Sequence, residues 1–172
     1  MTLELFSPAF SMGAAIPARH TAGGVDLSPP LQWTGVPRAA RAVALLVEDP
    51  EAPEGSRVNW LAWNLPAHLG GLAEAVAPED PRLRQGLNDF GRCGWAGPHP
   101  PCRKGARRYL FRLFALDAFL DLPAGAGRPA LEAAMHGHVL AEARLMGKHH
   151  RRVCACASSG AGCSRDSGSG RH

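Results

Sequence analysis

Asp49 stands where a carboxylate can do chemistry. It follows the apolar run Val43–Val47 and opens the acidic loop EDPEAPEG, before a second apolar run, Val58–Leu65. Asp49-Pro50 and Ala52-Pro53 disfavour helix at the residue before each proline, so the loop is stiff. A carboxylate on a stiff loop at the lip of a sheet can orient a donor or a cation. Its plainer role is to cap a turn. Arg107 and Tyr109 form a second candidate pair. In RRYLFRLFAL they share one strand face with Phe111, Leu113 and Ala115, so an apolar wall passes into a polar mouth.

Other chemistry-bearing clusters are weaker. His136 and His138, two apart on an expected helix, point to different faces and cannot share a metal. Cys154 and Cys156, with His149, His150 and Cys163, could gather a soft metal, but no second spaced pair closes a tetrahedral site. Arg103, Lys104, Arg107 and Arg108 crowd together without flanking exposed aromatics, which reads as a solvated basic turn, not a nucleic-acid surface. There is no G-x-S-x-G, P-loop or G-x-G-x-x-G, and no Ser or Cys in a recognisable base-paired motif. A binding protein, not an enzyme, is the expectation.

The elements that must position these residues read as follows. Residues 2–10 form an edge strand ending at Ser7-Pro8, and residues 11–30 are mostly irregular. Ser28-Pro29-Pro30 leads stiffly into a short strand whose Trp33 is a core anchor. Strands follow at 41–49 and 58–65. In the second, Asn59, Leu61, Trp63 and Leu65 should share one face, and Val58, Trp60, Ala62 and Asn64 the other. Residues 66–86 are loop-like, Gly86–Gly97 is too rich in turn formers for a regular element, and Gly97-Pro98-His99-Pro100-Pro101 makes a second stiff loop. The strand 107–116 is the clearest. Pro129 opens a helix whose stripe (Leu131, Met135, His138 or Val139, Glu142, Leu145) predicts helix to about Met146, capped by Gly147. Residues 153–172, rich in Gly, Ser, Ala and Cys, read as a disordered tail after a domain spanning 1–152.

At 172 residues and 18.2 kDa the chain is the size of one domain, and its 20 Gly and 15 Pro favour turns and short strands over a helical bundle. A net charge of +4 permits an anionic ligand without pointing to nucleic acid. No run reaches membrane-spanning length, and the N-terminus lacks the basic and apolar regions of a secretory signal, so a cytoplasmic location is expected. Five cysteines in such a chain argue for free thiols.

Together these stretches resemble the phosphatidylethanolamine-binding protein family, in its bacterial Raf-kinase-inhibitor-like branch. The residues that carry the likeness are Ser28-Pro29-Pro30-Leu31-x-Trp33, Asp49-Pro50-Glu51-Ala52-Pro53, Trp60-x-x-Trp63-Asn64, Asn88-Asp89-Phe90-Gly91, Gly97-Pro98-x-Pro100-Pro101, Arg108-Tyr109, and Leu131-Glu132-Ala133-Ala134-Met135-x-Gly137-His138. They run in order over about residues 3–150. The resemblance implies a mainly β fold, a β-sandwich-like core of antiparallel sheets with short helices and a C-terminal helix. It also implies a small pocket for anions such as the phosphate of phosphorylethanolamine, without a cofactor or metal. Carried over residue by residue, that pocket involves Asp49, Asn59, Trp60, Gly97, Pro98, His99, Pro100, Arg107 and Tyr109. Members of the family inhibit kinases or proteases, so a protein target is a further expected partner, and the resemblance admits a homodimer.

This chain departs from the family pattern at two pocket positions. Asn59 stands where a His usually precedes the Trp of the second strand, and Arg107 where a His usually opens the H-R-Y triplet. His99 could return an imidazole. Three readings follow. Arg107 and Tyr109 bind an oxyanion while Asp49 orients a donor; or Arg107 pairs with Asp49 and fills the site, leaving function to protein–protein contact; or Asp49 and His99 perform acid/base hydrolysis. An exposed Asp49–Arg107 pair would be worth only about 0–1 kcal/mol, so a bound phosphate would outcompete it.

Overall fold

The computed structural model describes residues 2–99 and 105–149. The expected tail, Pro100 of the second stiff loop, and Cys102 just after that loop lie outside the described residues. The elements are β1 (Glu4–Phe6), β2 (Leu31–Thr34), β3 (Ala42–Asp49), β4 (Arg57–Pro66), β5 (Gly71–Leu72), β6 (Arg84–Gln85), β7 (Arg107–Leu116), α1 (Arg128–Met135) and β8 (Val139–His149), with one 3-10 turn at Ala18–His20. They form a three-stranded antiparallel sheet, β1-β2-β5, and a five-stranded antiparallel sheet, β6-β4-β3-β7-β8.

The large sheet is buried on both faces, which is why its central strand β3 is apolar almost throughout instead of alternating. On one face Val43, Leu45, Val47, Trp60, Ala62, Phe111 and Leu113 meet Leu5, Leu31 and Trp33 of the small sheet. On the other, Ala44, Leu46, Leu61, Trp63 and Leu116 meet Leu131 and Met135 of α1. Burying such side chains contributes about 1.5–3 kcal/mol each before entropy is counted. Glu48, only 5% exposed, ties α1 to the sheet: it accepts from Ser56 Oγ at 2.8 Å and pairs with Arg128 at 2.5 Å.

Two departures from the sequence reading concern strand faces and the helix. The β3–β4 register shifts twice, leaving Asn59 and Asn64 as extra residues in β4. Val58 therefore packs with Leu61 and Trp63, and Leu65 with Trp60 and Ala62, against the simple alternation expected. Asn64 takes a left-handed backbone (φ 59), which a short amide tolerates, and its side chain both donates to and accepts from the backbone of Leu120. The helix opens with Pro129 in its first turn, as expected, but ends at Met135. Gly137 (φ 82) turns the chain, and residues expected to continue the helix form β8. Gly147 is not a helix cap: it lies inside β8, where an added Cβ would strike Ile16 and meet Phe10 at 2.9 Å.

The edge strand expected over residues 2–10 is shorter, Glu4–Phe6, with Leu5 opposite Trp33. Residues 66–86, expected as loop, contain the two-residue strands β5 and β6.

Candidate functional site

Asp49 is the last residue of β3, and Arg107 the first of β7. The ladder between these strands, with Glu48 opposite Leu110, sets Asp49 alongside Tyr109 and diagonal to Arg107, two residues further along the same face of β7. Asp49 uses both carboxylate oxygens. Oδ1 accepts the backbone N–H of Glu51 at 3.0 Å, the turn-capping role, and Oδ2 accepts Nη1 of Arg107 at 2.8 Å. Both side chains are 6% exposed. The pair is thus buried, not exposed at the mouth as the sequence suggested, and its energetics change accordingly: removing one partner strands a charge in a poorly solvated place.

Tyr109 is buried beside this pair. Burial pushes its phenol well above the usual value and the Asp49 charge adds to the effect; Arg107 and the His99 backbone amide offset only part of it. The hydroxyl is therefore a neutral donor at physiological pH.

A loop covers the group, and the residues that hold it are spread along the chain. Asn59, released from the ladder by its bulge, donates from Nδ2 to the Ala96 carbonyl at 2.7 Å, while the Ala96 N–H returns a bond to the Asn59 carbonyl at 2.9 Å. That bond fixes the amide orientation and leaves Asn59 Oδ1 buried without a partner among the described residues. Asp26 Oδ1 accepts Gly97 N–H at 2.8 Å and Trp95 Nε1–H at 3.1 Å, and Ala22 N–H donates to the Pro98 carbonyl at 3.1 Å. Gly97 has no room for a side chain, because a Cβ would run into Asp26 and the His20 carbonyl. Gly97 and Pro98 are buried, whereas His99 is exposed and touches the group through its backbone amide.

Trp60 forms the floor. It is fully buried, donates from Nε1 to Gln85 Oε1 at 2.8 Å, and meets Trp95 edge-on at 5.7 Å. Trp95 in turn stacks on Phe111 at 6.1 Å. Gln85 is held by its own bond to the Ala77 carbonyl at 2.7 Å.

Of the residues nominated from sequence, Asp49, Arg107, Tyr109 and the His99 amide come together. Gly97 and Pro98 form the loop. Asn59 and Trp60 support from behind, and Pro100 lies outside the described residues. Asp26 and Gln85 were missed. Asp26 adopts a left-handed backbone (φ 62) just after Gly23-Gly24, and nothing local marks it as the partner of a glycine 71 positions later.

Two depressions lie elsewhere: one of 360 Å³ between α1 and the large sheet, lined by Leu46, Phe114 and Met135 among others, and one of 510 Å³ against the small sheet. Among the described residues no group of three His, Cys, Asp or Glu could hold a metal. His136 and His138 sit in the turn after α1, not on a helix as expected, and His138 Nδ1 pairs with Asp117 Oδ1 at 2.8 Å. Cys93 is a free thiol; Cys102 and the tail cysteines lie outside the described residues.

The profile described as Phosphatidylethanolamine-binding protein matches residues 6–150, across both sheets and the covering loop. The chain belongs to the phosphatidylethanolamine-binding protein family. A UPF0098 protein of Methanothermobacter thermautotrophicus is 44% identical over 153 residues, covering 87% of this chain and 99% of its own. The crystal structure of a phosphatidylethanolamine-binding protein homologue from Chlamydia trachomatis is 37% identical with a TM-score of 0.81, covering 87% of this chain and 98% of that one. E. coli YbcL, described as a member of the mammalian family, superposes with a TM-score of 0.82 at 23% identity over 88% of this chain and all of its own, a likeness of fold. Relatives from archaea as well as bacteria make the family wider than the bacterial branch named above. No described helix is long and apolar enough to cross a membrane.

Proposed function

We propose that this member of the phosphatidylethanolamine-binding protein family is a binding protein, not an enzyme, and that it takes a small oxyanion such as a phosphate monoester at the Arg107–Tyr109 end of β7. The observation that carries this reading is the buried Asp49–Arg107 pair beside a neutral Tyr109 hydroxyl. Asp49 engages Arg107 through Nη1 and so fixes the guanidinium plane. The remaining guanidinium N–H groups and the Tyr109 hydroxyl, whose oxygen the His99 amide already engages, are the donors available to an anion. Asp49 is the counter-ion that keeps the cation in place while the site is empty. Service as an inhibitor or signalling modulator is a use to which the same bound state lends itself.

The competing reading is that the pair closes the site and function passes to protein–protein contact. It is favoured by the 6% exposure of both partners. Titration of the protein with inorganic phosphate and with phosphorylethanolamine, followed by backbone and tyrosine NMR, separates the two. Binding at the site shifts the resonances of Glu51, Arg107 and Tyr109, and Arg107→Met abolishes those shifts. Unmoved resonances in the native protein rule out the oxyanion site and leave the closed reading. Hydrolysis by Asp49 and His99 is the weaker idea, because the His99 side chain is exposed while Asp49 is bonded at both oxygens.

A further inference from the structure

Arg57 is the first residue of β4, and its register partner across the β3–β4 ladder is Asp49. Residues directly opposite in an antiparallel pair point to the same face. Arg57, Asp49 and Tyr109 therefore form one row across three strands, with Asp49 in the middle and Arg107 diagonal to it. The bonds of Asp49 go to Arg107 and to the Glu51 amide, not to Arg57. The Arg57 guanidinium turns instead toward the rim. Its Nη2 reaches Glu54 Oε2 at 3.4 Å, a long contact to a side chain that is 85% exposed. An ion pair of that kind is weak and easily exchanged.

The guanidinium also lies over the Phe90 ring, 5.6 Å from its centroid. Phe90 is held in place beside β4. Val58 N–H donates to Asp89 Oδ2 at 2.7 Å, Asp89 N–H donates to the Val58 carbonyl at 3.0 Å, and Phe90 N–H donates to Asn88 Oδ1 at 2.9 Å. Arg57 is thus a partly exposed cation on a fixed aromatic platform, with a loosely held partner. Its charge reaches the site, since it acts on the Tyr109 phenol in the same direction as Arg107.

Asp49 and Arg107 cancel as a pair, and Tyr109 is a neutral donor. These three offer hydrogen bonds to an anion but no net charge to balance it, and burying an unbalanced charge is costly. We propose that Arg57 is the specificity-determining cation of this site, exchanging Glu54 for the ligand and selecting doubly charged phosphate monoesters over singly charged oxyanions, an assignment that rests on the oxyanion reading above. Coulomb attraction doubles with the second negative charge, so Arg57 stabilises a phosphate dianion more than a sulfonate of the same shape. The guanidinium fork suits two phosphate oxygens at once. Glu54 competes with the ligand for the same N–H groups.

The test titrates the full chain with methyl phosphate and with methanesulfonate at mildly alkaline pH, where the first is a dianion and the second a monoanion. Affinities are read from the resonances of Glu51 and Tyr109. The native chain binds methyl phosphate more tightly. Arg57→Gln, folded by circular dichroism, weakens methyl phosphate about tenfold and methanesulfonate less, so the preference collapses, while Arg57→Lys keeps most of it. Glu54→Gln frees the guanidinium and tightens methyl phosphate by up to about fivefold. A native chain that binds both anions without preference, an Arg57→Gln variant that keeps the preference or weakens both anions equally, or a Glu54→Gln variant that binds methyl phosphate more weakly overturns this assignment and leaves the oxyanion site standing. A native chain in which neither anion moves a resonance overturns the oxyanion reading and this assignment with it.

Discussion

At the scale of single residues, the Asp49–Arg107 pair sets the chemistry of the site. Its burial means that neither partner can be removed without consequence. Asp49→Ala leaves a guanidinium buried and unpaired and should cost about 3–5 kcal/mol in a urea denaturation midpoint series. Arg107→Met alone strands the carboxylate, although its bond from Glu51 remains. The double variant Asp49→Leu with Arg107→Met removes both charges, and its stability should return close to native, because well-packed apolar groups often replace a buried pair at no loss. A double variant no more stable than the worse single one would show that the pair is not the source of the effect. The same comparison tests specificity: the double variant keeps the fold and loses the anion response.

At the scale of elements, the covering loop depends on contacts that no local pattern announces. Gly97→Ala pushes a methyl group against Asp26 and the His20 carbonyl, so the loop must shift. A loss of about 1–3 kcal/mol and an altered Tyr109 environment are expected, read by denaturation and by tyrosine NMR. Gly105→Ala is the control, since no described residue lies within 4 Å of its added methyl. What the sequence makes legible follows the same division. β3 and β7 are readable because a strand-length apolar run and a clean two-residue alternation admit one interpretation each, and β7 spans the very residues the alternation marks. β8 is not readable in that way. Leu131, Met135, Val139, Glu142 and Leu145 satisfy a helical spacing, while Ala143, Leu145 and Gly147 satisfy a strand spacing; only the left-handed turn at Gly137 decides between them. At the site, Asp49, Arg107 and Tyr109 are marked by strand ends. Asp26 and Gln85 act through contacts across the fold, and the bulge that frees Asn59 arises from pairing with β3.

At the scale of the whole molecule, stability acquires a pH dependence from Tyr109, the chain's only tyrosine. Its folded pKa lies above the ordinary value of 10.0, so above pH 10 the unfolded chain releases the phenolic proton while the folded chain keeps it. The folded state then binds more protons, and stability falls as pH rises through that window; below pH 10 the group contributes no slope. Near-ultraviolet absorbance should therefore show no phenolate in the folded protein until unfolding begins. Tyr109→Phe should remove the alkaline slope. A phenolate that appears at pH 10 in a protein still folded would contradict this account.

The stack of Trp60, Trp95 and Phe111 runs from the buried floor to the loop that carries Gly97. Of its two indoles, Trp95 is the one only partly shielded from water, and its N–H is held by the same Asp26 oxygen that anchors the Gly97 amide. Any event that displaces the loop must change the polarity around that ring. The protein thus carries a built-in optical reporter, and the emission of Trp95, read against a Trp95→Phe variant, can follow occupancy of the site without a label.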